Sequence, residues 1–78
     1  MFVLTNTYTV KHGKSFYPEV AYKNNFNTFS EAENEMNMQA EDVLVNDYSK
    51  KDFSITRFKN GVCIKTIHEC DLWKIDEI

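Results

Sequence analysis

The 78-residue sequence has two glycines, one proline, one arginine and only two cysteines, Cys63 and Cys70. Each scarcity removes a class of protein. With Gly13 and Gly61 alone, the chain has no P-loop, no G-x-G-x-x-G and no G-x-S-x-G elbow. A secreted domain this small ordinarily carries four or more cysteines, so two point to a reducing compartment rather than a disulfide framework. The first residues, Met1-Phe2-Val3-Leu4-Thr5-Asn6, lack the basic and sustained apolar stretches of a signal peptide. No run reaches the roughly 20 apolar residues of a membrane span. A cytoplasmic protein without membrane association is expected.

Length limits the interior. Residues 1–78 make one domain, which leaves little room for a large ligand cavity. Six Phe, four Tyr and one Trp compensate, because each aromatic buries roughly 150–250 Å².

The apolar pattern predicts an α+β fold. From Phe2 to Val10 the chain alternates, with Phe2, Leu4, Tyr8 and Val10 on one face and Val3, Thr5, Thr7 and Thr9 on the other. His12-Gly13-Lys14 supplies a turn into a second strand from about Phe16 to Lys23, with Val20 and Tyr22 on one face. Pro18 has no N–H to donate, which makes that strand short or places it at an edge. Thr28-Phe29-Ser30-Glu31 fits a capping box, and Phe29, Ala32, Met36, Ala40, Val43 and Leu44 form the core stripe of a helix reaching about Tyr48. Two β-rich runs, Phe53 to Lys59 and Val62 to Ile67, flank Asn60-Gly61, which predicts a type I′ hairpin pairing Phe58 with Cys63, Arg57 with Ile64 and Ile55 with Thr66. The tail from Asp71 to Ile78 fits either an extension of the last strand or a short helical turn. The expected architecture is two-layer, one helix on a four-stranded, mainly antiparallel sheet in the order β-β-α-β-β.

Charge is unevenly placed. Residues 28–48 hold Glu31, Glu33, Glu35, Glu41, Asp42 and Asp47 and no basic residue, a net −6. Residues 49–67 hold Lys50, Lys51, Arg57, Lys59 and Lys65 against Asp52, a net +4. A solvated outer helix face explains the acids in part. The helix nevertheless lacks the i, i+4 lysine partners that stabilise such a face, so the acids also suit a basic partner. Met38 and Val45 add apolar surface there, giving a candidate partner-binding set of Glu31, Glu35, Met38, Asp42 and Val45. The second hairpin has apolar residues on both faces. One face meets the helix; the other is covered by the tail around Trp73 or left open, where it could form a homodimer.

The residues of catalysis and metal binding are not assembled. Cys63, His68 and Cys70 show no paired C-x2–4-C or H-x3–5-H spacing, and alternation puts Cys63 opposite His68 and Cys70, so no metal site or cofactor is expected. His12 and His68 read as turn or strand residues, and carboxylates on a solvated helix cannot act as general acids, so no enzymatic activity is expected. Arg57, Phe58, Lys59 and Lys65 could join stacking to phosphate contacts on a single-stranded nucleic acid, although the sequence pI near 5.2 opposes it.

Lysine outnumbers arginine eight to one and asparagine occurs eight times, a usage typical of AT-rich genomes. In size, composition and expected compartment the chain resembles the small accessory proteins of phages. That resemblance, general in character, implies a non-catalytic protein that occludes a surface on a host protein or protein complex, as host-takeover, anti-defence and anti-CRISPR proteins do. A homo-oligomeric assembly protein and a single-stranded nucleic-acid-binding module are the alternatives.

Overall fold

The computed structural model describes residues 1–78. Its elements are β1 (Phe2–His12), β2 (Ser15–Phe26), α1 (Phe29–Val43), a π-helical turn (Leu44–Tyr48), β3 (Ser54–Phe58), β4 (Gly61–Lys65) and β5 (Glu69–Glu77). The strands form one antiparallel sheet in the order β2-β1-β5-β4-β3, and α1 lies on one face, over β1, β5, β2 and β4. The α+β class and the single helix are as the sequence predicts. The strand count is not: the tail forms a fifth strand, giving β-β-α-β-β-β. It does not cover the second hairpin; it enters the sheet as its middle strand, with β1 on one side and β4 on the other.

The core follows from that placement. Leu4 on β1 stands opposite Ile75 on β5, and Val62 on β4 stands opposite Trp73. These side chains and Ile64 meet Ala32, Met36 and Ala40 of α1, and all are buried. Small alanines at two of the three helix positions let the backbone approach the indole of Trp73, which is fully enclosed. Its Nε1–H donates to Gln39 Oε1 at 3.1 Å, so the polar end of the ring is satisfied. The capping box forms: Thr28 Oγ1 accepts the Glu31 N–H at 3.2 Å and donates to the Glu31 carboxylate at 3.1 Å. At the other end, the π turn takes more residues per turn than an α turn. This carries Tyr48, rather than Asp47, onto the core line, where it is buried.

Two local readings are corrected. Val20 and Tyr22 do not share a face, because a bulge at Ala21 shifts the β1–β2 register: Tyr22 stands opposite Asn6 on the helix side and Val20 opposite Thr7 on the other. Pro18 lies on β2, an edge strand, where its missing N–H costs no ladder bond. In the second hairpin Phe58 pairs with Gly61, Thr56 with Cys63 and Ile55 with Ile64, two residues away from the expected register. An even shift leaves every side chain on its expected face.

The turn also differs in type. Gly13 is the one residue with positive φ, at 62°, so Asn60-Gly61 does not form a type I′ turn. Asn60 is instead tied to β5: its carbonyl accepts the Ile75 N–H at 2.8 Å, and its Nδ2 donates to the Ile75 carbonyl at 3.1 Å. Gly61 sits so close to β5 that a Cβ on it would overlap the Trp73 carbonyl oxygen. The glycine serves strand proximity, not backbone conformation. Gly61→Ala should therefore lower stability by roughly 2–3 kcal/mol through forced backbone displacement. Gly13→Ala, in open space, should lower it by about 1 kcal/mol through φ alone. Urea titration of the two variants checks this ranking, and equal losses would contradict it.

Candidate functional site

Three surfaces carry the charged and apolar groups left over by the core. The first is the outer side of α1. Glu35, Met38, Glu41, Asp42 and Val45 line one shallow groove with Gln39 and Asn46. Met38 and Val45 are 66% and 64% exposed. Four of the five partner-binding candidates thus come together, while Glu31 sits a turn away and is engaged with Thr28. Glu35 is not free to swing: Gln39 Nε2 donates to its carboxylate at 2.9 Å while Gln39 Oε1 accepts from Trp73. The ridge is therefore anchored to the core through one amide.

The second surface is the sheet face that α1 does not cover. Strand register places Lys11, Lys23, Lys65 and Lys74 there with Phe16, Val20, Phe58 and the threonines 5, 7, 9 and 56. Phe16 and Phe58 are 65% and 50% exposed, and the Lys11 ammonium lies 5.8 Å from the Phe16 ring centroid. Of the nucleic-acid candidates, Phe58 and Lys65 share this face; Lys59 is in the adjoining turn, and Arg57 pairs with Val62 on the opposite face. Lys11, Lys23 and Lys74 escape the sequence reading. Lys11 continues the legible alternation of β1, but Lys23 and Lys74 need the bulge and the position of β5 to be placed.

Cys63 and Cys70 also belong to this face. Along one strand a seven-residue spacing would put them on opposite sides. Here they lie on two antiparallel strands joined by an irregular turn, which resets the alternation and leaves their sulfurs 3.1 Å apart.

The third feature is a cleft of about 470 Å³ between the π turn and the sheet, open to solvent and lined among others by Tyr8, Glu19, Asp47 and Tyr48. At its base Asp71 is buried and accepts from Asn6 Nδ2 at 3.3 Å and from the Tyr48 hydroxyl at 3.2 Å. Burial pushes the Asp71 carboxyl above its ordinary range, against the pull of those two donors. Next to it, Glu69 accepts from Lys51 and from the Tyr8 hydroxyl, each at 2.6 Å, and these bonds hold its carboxyl below the ordinary value. The Lys51 side chain is 46% exposed, so that ion pair adds little to stability. No buried side-chain polar atom lacks a partner, and no three His, Cys, Asp or Glu side chains converge as metal ligands. No helix is long and apolar enough to cross a membrane.

Comparison with protein-family models, with curated proteins and with solved structures finds no match.

The cleft network ties stability to alkaline pH. The bond to Glu69, with burial, raises the Tyr8 phenol from 10.0 to about 12. Burial, with the Asp71 charge, raises Tyr48 in the same direction. An unfolded tyrosine ionises first, near pH 10, so the unfolded chain binds fewer protons above that point. The contribution of both tyrosines is fully present below pH 10 and is lost as pH rises through their folded values. The urea midpoint should fall between pH 10 and pH 12, and fall less steeply in Tyr8→Phe. A midpoint independent of pH across that window would contradict the network.

Proposed function

We propose that the protein is a non-catalytic binding protein that occludes a cation-rich surface on another protein, using the acidic ridge of α1. The observation that carries this reading is the pairing of exposed Met38 and Val45 with Glu35, Glu41 and Asp42 in one groove, on a helix with no basic side chain. Acidic groups give orientation and speed of encounter, while the two apolar side chains supply area that gains from desolvation. Of the four carboxylates that line the cleft, the two at its base, Asp71 and Glu69, are engaged by internal donors, which supports binding over acid–base chemistry at that base. Action against a host protein, of the host-takeover, anti-defence or anti-CRISPR kind, is the setting we favour for such a stoichiometric binder.

A second reading is favoured by a different observation. Four lysines and two exposed phenylalanines lie on the open sheet face, an arrangement that suits the backbone and bases of single-stranded nucleic acid. Lys74 is partly neutralised by Asp76 at 3.5 Å, and the acidic α1 layer lies behind the sheet, so we rank this reading second.

Two variants separate the readings. Glu41→Lys with Asp42→Lys reverses charge on the ridge without touching the Trp73–Gln39–Glu35 chain. Lys65→Glu with Lys74→Glu reverses it on the sheet. In capture from nuclease-treated lysate of the source cells, the ridge variant should lose the partner held by wild type by tenfold or more, and the sheet variant should keep it. Loss with the sheet variant alone would overturn the ridge reading. For the second reading, affinity for single-stranded oligothymidylate should fall with salt at a log–log slope of about −3 for four phosphate contacts. A flat salt profile would remove it.

A further inference from the structure

We infer that Cys63 and Cys70 form an oxidative modification site, a dithiol on the open sheet face that reacts with a small-molecule disulfide and closes to an intramolecular bridge. Register makes the two cysteines diagonal neighbours: Cys63 stands opposite Leu72, and Cys70 opposite Lys65. Diagonal neighbours in an antiparallel pair are ordinarily about 7–8 Å apart, which leaves most such thiols out of bonding range. Here both side chains turn toward each other and the sulfurs are in direct non-bonded contact at 3.1 Å, so a shift of about 1 Å brings them to the roughly 2.05 Å of a disulfide. Both thiols are free and half-buried, on a face that no other element covers, so a small reagent reaches them. With no third His, Cys, Asp or Glu converging on the pair, its chemistry is that of a dithiol rather than a metal centre.

The reaction is thiol–disulfide exchange. The Cys63 thiolate attacks one sulfur of the reagent, forming a mixed disulfide and expelling one thiolate. Cys70 then gives up its proton and attacks the Cys63 sulfur, breaking the mixed disulfide and expelling the second thiolate. Two protein thiols are oxidised, one reagent disulfide is reduced to two thiols, and the two protons pass to the leaving thiolates. The order follows from the surroundings. Burial and the hydrogen bond with Cys63 push the Cys70 thiol above its ordinary range, which suits it to the second, resolving step, and the nearby Lys65 charge assists its ionisation.

The test incubates the full chain with excess oxidised glutathione, quenches with acid, alkylates the remaining thiols and measures intact mass. The expected product is a monomer lighter than the reduced chain by two hydrogen atoms and without alkylation. Cys70→Ser should stop at one glutathione adduct on Cys63, released by reductant. Serine replaces a half-buried thiol, so this variant keeps the fold. Oxidation should also raise the melting temperature, on the order of 10 °C for so short a loop. Two glutathione adducts on wild type, two alkylatable thiols or a disulfide-linked dimer would overturn the proposal. So would a melting temperature lowered by oxidation.

Discussion

The insertion of β5 between β1 and β4 is the constraint on which the remaining structure depends. Without residues 69–77 the chain holds two separate hairpins, β1–β2 and β3–β4, with no hydrogen bond ladder between them. β5 supplies both ladders, and from its middle it sends Trp73 beneath the helix. Pairings such as Phe2 with Glu77 span nearly the whole chain, so the sheet cannot close until the last residues are available. Such non-local closure carries a loop entropy that must be met before contacts reward it. The fit around β5 is accordingly tight. Gly61 leaves room for the Trp73 carbonyl, Asn60 grips Ile75 through two bonds, and Asn6 Nδ2 reaches the Leu72 carbonyl.

The same arrangement divides the surface. A 15-residue helix spans about 22 Å, and an 11-residue strand about 36 Å. One helix therefore covers only part of one sheet face. The far end of the β1–β2 hairpin is bare, with Phe16 and Tyr17 exposed, and so is the whole of β3. Acidic residues collect on the helix layer and lysines on the uncovered face, so the protein presents opposite charge on opposite sides.

Much of this was legible in the residues, and the failures share a cause. The alternation of β1, the Thr28–Glu31 cap, the apolar stripe of α1 and the edge position of Pro18 depend on neighbours a few residues away. They came through intact. The tail was ambiguous because the strand's helix-side positions include Glu69 and Asp71, acids where alternation calls for apolar side chains. Their partners, Lys51, Tyr48, Tyr8 and Asn6, lie 18 to 65 residues away, and no local pattern announces them. Asn60-Gly61 misled for a related reason. It carries the signature of a turn that needs positive φ, whereas Gly61 is required by a strand that arrives later in the sequence. The cysteine pair was hidden by the same resetting of alternation across a turn.

The candidate binding ridge illustrates how local and distant determinants combine. Its composition is visible in residues 28–48 alone, but its readiness to bind is not. Glu35 would be a mobile side chain on an isolated helix, and fixing it on association would cost about 1 kcal/mol of rotamer freedom. In the folded protein Gln39 holds Glu35 and is itself held by the enclosed indole of Trp73, so part of that ordering is already in place before any partner arrives. Met38, on the α-helical stretch, and Val45, inside the π turn that begins at Leu44, line the same groove beside this anchored turn. The strand that completes the sheet thus also stiffens the outer face of the helix, and the ridge inherits its order from the last residues of the chain.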